Sequence, residues 1–182
     1  MSRKYKFRDD HKLYFVSFAV VYWIDVFTRT VYKDILLDSF KYCQHHQGLE
    51  IYAYCIMPSH VHMIIGSHRE SLATIMRNLK SFSAKKLLQA IQTYSQESRK
   101  EWILKLMNQA GRENSNNVKY QFWLQHNHPI ELDNNKIMDQ KLAYIHQNPV
   151  AAGFVDQEEA WLYSSARDYY GQKGLMDIMF IR

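Results

Sequence analysis

His60 and His62, in the stretch YCIMPSHVHMIIG, are the residues whose types and spacing most directly suggest chemistry. A β-strand repeats every two residues, so both rings project from one face while Val61 points the other way, into a core. Two imidazoles side by side on a rigid strand form half of a divalent-metal site. The chain has nine histidines, so a chance His-x-His is also common, and the motif alone leaves both readings open. The second set is Tyr144 and Asn148 in YIHQNP. Residues four apart on a helix share a face. Taken alone, this pattern reads better as a tyrosine at the core rim followed by a helix-stopping Asn-Pro.

Together the two motifs define a reaction. A phenol of pKa about 10 is a weak nucleophile at neutral pH. It becomes effective when a cation neutralises the charge that builds up on the phosphate under attack. The resulting phosphotyrosine diester conserves the energy of the broken bond, so a released 3′-hydroxyl can reverse the step without ATP. Asn148, through its amide oxygen, would complete the protein ligands from the nucleophile's own helix.

Several elements must position these groups. Residues 12–21 (KLYFVSFAVV) alternate and are rich in β-branched and aromatic side chains, the pattern of a strand. Residues 30–46 carry Val31, Ile35 and Cys43 at helical spacing, with Gly48 where a C-terminal cap belongs. Residues 49–57 and 60–66 read as two strands joined through Pro58-Ser59. Residues 70–91 place Leu72, Ile75, Met76, Leu79 and Phe82 on one stripe of a long amphipathic helix. A helix over 98–110 and the polar loop GRENSNN follow, then a fourth strand at 118–125 (VKYQFWLQ). A helix over 134–147 stops at Pro149, whose ring disfavours helical geometry in the preceding residue. A short helix over 165–170 ends at Gly171. This order predicts an α+β fold, an antiparallel sheet with helices packed on one face, ferredoxin-like or RRM-like, followed by a C-terminal catalytic helix.

The bulk properties are compatible with this. The 182 residues suit a single domain, 1–182, with a helical and loop insertion at 93–117, and 47% apolar content supports a substantial core. The formal net charge of +5 and 14% aromatic content lean towards a polyanionic partner with bases to stack. No apolar run is long enough to span a bilayer and no secretory leader is visible, so no membrane association is expected. Cys43 and Cys55 are too few for a disulfide scaffold and read as reduced thiols of a cytoplasmic protein.

The blocks CIMPSHVHMII, RNLKSFSAKKL, QFWLQHNHPIEL, YIHQNPVAAGFV and WLYSSARDYY occur here in one order. Over most of its length the chain thereby resembles the single-tyrosine HUH (IS200-like) transposases, specifically the branch associated with repetitive extragenic palindromes (REP). In that family the tyrosine follows the histidine pair, whereas in conjugative relaxases it precedes them. The resemblance implies nicking and joining of single-stranded DNA beside a hairpin, assisted by Mg²⁺ or Mn²⁺, through a 5′-phosphotyrosine intermediate. By the same resemblance His60 and His62 match the metal pair, Tyr144 the nucleophile and Asn148 the third ligand. Relatives include homodimers that exchange the tyrosine helix, so a dimer and an active site shared between subunits stay open. The stretch 93–117 is long for a minimal member of the family, and roles for it do not transfer.

Weaker candidates concern DNA contact. Arg3, Lys4, Lys6 and Arg8, interleaved with Tyr5 and Phe7, read either as an arm on the DNA backbone or as a solvated terminus. Arg77, Lys80, Lys85 and Lys86 charge the long helix beside its apolar stripe, either for DNA or as a solvated face. His126 and His128 form a further His-x-His pair, and Trp123, Trp161 and Tyr163 read as core or rim. Two other classes compete with strand transfer: a non-catalytic RRM-like module that binds single strands, and a metal-dependent hydrolase that uses water and leaves Tyr144 idle.

Overall fold

The structure, a computed structural model, describes residues 6–114 and 119–181. Its centre is a four-stranded antiparallel sheet of β1 (Tyr14–Ala19), β2 (Leu49–Ile56), β3 (His60–Ser67) and the two-residue β4 (Ile130–Glu131), in the order β2-β3-β1-β4. The helices are α1 (Thr30–Gln47), α2 (Leu72–Thr93), α3 (Lys100–Arg112), α4 (Asn135–Ala151) and the short α5 (Ala166–Tyr169). The expected α+β, ferredoxin-like arrangement is therefore present.

The strand period sorts the side chains into two layers. Tyr14, Val16 and Phe18 of β1, with Val61, Met63 and Ile65 of β3, join the apolar face of α1 and α2 in the larger core. The alternate residues Phe15, Ala53, Cys55 and Ile64 face the other way and meet Ile145, Ile137, Met138 and Leu142 of α4. Thus α1 and α2 share one face as expected, and α4 covers the opposite one. A bulge between Ile51 and Ala53 shifts the phase of β2, placing Ile51 in the first layer and Ala53 in the second.

Local signals account for the helix ends. Gly48 closes α1 at φ 77°, a left-handed conformation that costs a residue with a Cβ. Ser71 caps α2 by accepting from the Thr74 amide, and Asn134 caps α4 by accepting from that of Ile137. Helix α3 is part of the main core through Ile103 and Met107. The turn before it is tied down by the buried Glu97, which accepts from Arg29 at 2.9 Å, Arg99 at 3.3 Å and the Tyr32 hydroxyl at 3.2 Å.

Two expectations are corrected. The fourth strand is Ile130–Glu131, paired through Phe15↔Ile130 and Tyr14↔Glu131, and not 118–125. Residues 119–125 meet β1 only at its last residue and past it, with the Leu124 amide donating to the Ala19 carbonyl, the Val21 amide to that of Phe122, and the isolated bridge Val20↔Trp123. There the chain leaves the sheet in a 3-10 turn, with Tyr22 and Trp23 at positive φ, so no ladder can continue. Residue 118 lies outside the described residues. The second correction is that α4 runs through Pro149 to Ala151 instead of stopping before it. Proline removes one amide donor, but Pro149 is buried and the carbonyls of Asn148 and Pro149 still accept from Ala152 and Phe154.

Candidate active site

His60 and His62 lie on the α4 face of β3, opposite Ala19 and Ser17 of β1. Their ring centroids are 4.8 Å apart. His62 is 5% exposed, stacked on Phe15 at 5.6 Å and edge-on to the Tyr144 ring at 5.1 Å. Tyr144, on α4, is 48% exposed and also touches Phe15 edge-on at 5.9 Å. One turn further along α4, Asn148 donates to the Tyr144 carbonyl at 3.5 Å, and its side chain acts on the His60 imidazole, favouring the protonated form. One chain thus brings all four of His60, His62, Tyr144 and Asn148 together, and the tyrosine meets its own chain's imidazoles.

Electrostatics keep both imidazoles neutral. Burial pushes the His62 pKa down to about 3, reinforced by His60 and the Lys141 ammonium. Burial also lowers His60, with the bond to Asn148 opposing it. A neutral imidazole is the form that donates a lone pair to a metal. Both ring nitrogens of His62 are buried without a hydrogen-bond partner. Buried polar groups are nearly always paired, and an orphan calls for an explanation. A cation between His62, His60 and the amide oxygen of Asn148 supplies one, so these residues fit a divalent metal. Among the described residues no three His, Cys, Asp or Glu side chains form a metal-binding group.

Lys141, absent from the sequence candidates, sits one turn before Tyr144 with its ammonium 4.7 Å from the Phe15 ring centroid and 5.5 Å from that of Tyr144. Its i−3 spacing from Tyr144 was the available signal. Trp23 is the other unforeseen neighbour, edge-on to His60 at 5.1 Å; no spacing rule marks it.

The basic candidates divide. Arg3 and Lys4 lie outside the described residues, and Lys6 and Arg8 lie exposed at the start of the described chain, with the Arg8 amide donating to the Tyr14 hydroxyl. Arg77 and Lys85 are exposed along a groove of about 560 Å³ between α2 and residues 120–127, which Lys80 also lines. The Lys80 ammonium is committed within the protein, donating to the Leu124 carbonyl at 2.6 Å and Asn127 Oδ1 at 2.8 Å, and burial pushes its pKa down to about 8. It holds the 124–127 segment on α2. Lys86 lies elsewhere, over the Phe82 ring at 4.5 Å. His126 and His128 meet one another, with ring centroids 5.9 Å apart.

The sheet order and the paired histidines define a ferredoxin-like protein with a candidate HUH site. Residues 10–111, more than half of the chain, match the family model described as "Transposase IS200 like", and the chain belongs to that family. The match includes both histidines and ends before Tyr144. Among solved structures, a REP-associated tyrosine transposase bound to a REP hairpin shares the fold, with a TM-score of 0.63 and 16% identity over 100% of this chain and 95% of that one. A Deinococcus radiodurans R1 protein assigned as a transposase overlaps less closely, with a TM-score of 0.43 and 20% identity over 80% of this chain and 94% of the other. No curated protein matches the chain in sequence. No helix among the described residues is long and apolar enough to cross a membrane.

Proposed function

We propose that this transposase cleaves and rejoins single-stranded DNA through Tyr144. The observation that carries the reading is the contact of the Tyr144 ring with His62, at 5.1 Å within one chain, beside His60 and Asn148. The Tyr144 oxygen attacks the phosphorus, the bond to the 3′ oxygen breaks, and the departing 3′-hydroxyl takes up a proton while the phenol proton passes to solvent. The product is a 5′-phosphotyrosyl diester, and attack by a 3′-hydroxyl restores the phosphodiester and frees Tyr144. His60, His62 and Asn148 would hold a divalent cation, which supplies charge neutralisation at the phosphate as displacement proceeds. Two imidazoles and one amide suit Mn²⁺ better than the harder Mg²⁺. Lys141 places a fixed positive charge on the same face, suited to orient the scissile phosphate. The whole chain, 1–182, acts as one HUH domain, with the insertion at 93–117 contributing α3 to its core.

The family, and the shared fold with a protein solved on a REP hairpin, support a DNA hairpin with a single-stranded flank as the substrate class. Arg77 and Lys85, along the α2 groove, are assigned to its backbone. The test is to incubate labelled hairpin DNA with the protein and Mn²⁺, then denature. A covalent adduct that disappears in Tyr144→Phe is expected. Turnover without an adduct would make the protein a hydrolase, and binding alone a non-catalytic module.

A further inference from the structure

A cleft of about 320 Å³ opens beside the histidine pair, lined by Ser17, Ala19, Trp23, Gln125, His126 and His128, among others. Ser17 and Ala19 are the β1 partners of His62 and His60, so the cleft floor is carried by the neighbouring strand, about 4.8 Å away backbone to backbone, on the same face. Its size is at the small end for ligand sites, suited to one planar ring system and not to a duplex end.

Trp23 is 58% exposed, although tryptophan is a strong candidate for burial, and it stands at φ 56° directly after Tyr22 at φ 53°. Two successive aromatic residues in the left-handed region are unusual and persist only where the surroundings impose them. Here the turn is pinned by the Trp23 amide donating to the Val20 carbonyl at 2.9 Å and the Val21 amide to that of Phe122 at 2.8 Å. The outcome is an indole held out of the core, edge-on to His60 and bordering the cleft. Ser17, Gln125 and the histidine pair 126/128 supply polar edges around it. The 125–127 segment that carries part of this lining is fixed from both sides, by Lys80 and by the Ser17 amide donating to the Asn127 carbonyl at 2.9 Å.

We propose that this cleft holds one unstacked nucleobase of the single strand, stacked on Trp23, next to the phosphate that lies at His60 and His62. The position of the phosphate rests on the strand-transfer reading; the base site itself does not require that Tyr144 be the nucleophile. Stacking recognises any base through its π face, and the polar rim adds preference among bases.

The test uses a hairpin with a single-stranded tail of about ten nucleotides, in which one abasic position is walked along the tail. Binding is measured with full-length Tyr144→Phe protein in EDTA, where no cleavage can occur. At one position loss of the base should weaken binding by about 5- to 150-fold. Adding Trp23→Ala should erase that penalty, and Trp23→Phe should restore most of it, which also shows that the turn still folds. A penalty that survives Trp23→Ala, or a tail along which every base is dispensable, would overturn the proposal. Adduct formation by the wild-type protein with Mn²⁺ on the intact probe is scored separately. An adduct without a position-specific penalty overturns the base site alone; a penalty without an adduct supports the base site and defeats the nucleophile assignment.

Discussion

Around Glu97 both carboxylate oxygens are satisfied, by Arg29, Arg99 and the Tyr32 hydroxyl; around His62 neither ring nitrogen has a partner. Both groups are buried in the same small domain. His146 narrows the contrast to a single residue type, because it too is buried on α4, yet its Nε2 meets the Ser165 hydroxyl at 2.9 Å. A buried polar group that is satisfied internally stabilises and specifies the fold. One left unpaired costs free energy and is retained where something from outside completes it. The Glu97 cluster is thus satisfied within the fold, whereas the His62 ring is left for the proposed cation to complete.

Four perturbations sharpen this contrast. The largest effect is expected from Tyr144→Phe, which should reduce adduct formation by about a thousandfold or more. Because Tyr144 is half-exposed, its unfolding free energy should change by no more than about 0.5 kcal/mol in urea titrations. Next, Glu97→Gln should destabilise the protein by about 2 kcal/mol. This is below the range for a fully buried pair because Arg29 and Arg99 are partly exposed and keep water as a partner. Adduct yield at a temperature where that variant is folded should be near wild type.

A smaller effect of opposite sign is expected at His62. Replacing the unpaired imidazole by leucine, His62→Leu, should abolish cleavage while raising metal-free stability by about 1 kcal/mol. Destabilisation by that substitution would mean that the ring is paired after all. The smallest effect is a pH limb. Burial alone would raise the Glu97 pKa, but hydrogen bonds from the Arg99 backbone and both guanidiniums outweigh it and hold it below the ordinary carboxylate value. The unfolded chain then binds the proton more readily. The stabilisation is therefore complete above the unfolded pKa of about 4.3 and is lost as pH falls through the lower folded value. Stability measured between neutral and acid pH should lose part of this acid limb in Glu97→Gln.

What the sequence made legible was periodic. The two-residue repeat of β3 placed His60 and His62 on one face, and the four-residue spacing on α4 placed Tyr144 beside Asn148. Both hold because each element is regular where the residues sit. The failures share another cause: a tertiary neighbour decided the outcome. Residues 119–125 have strand composition, but they meet β1 only from its last residue, Ala19, onward, where the chain turns away, so the ladder on that edge forms at Ile130–Glu131. Pro149 is a helix stop in isolation, and its burial carries α4 past it. Lys80 looks like a DNA contact until the carbonyls that receive its protons are seen, and Trp23 acquires a role only from the turn that holds it against His60.

On the proposed reading, His60, His62 and Asn148 bind a divalent cation in front of Tyr144. Electron spin-echo spectroscopy of Mn²⁺ added to the ¹⁵N-histidine-labelled protein reads this directly. Two imidazole nitrogen couplings are expected, one lost in His60→Ala, the other in His62→Ala, and both kept in Tyr144→Phe. A Mn²⁺ spectrum without histidine coupling in the wild-type protein would contradict the account.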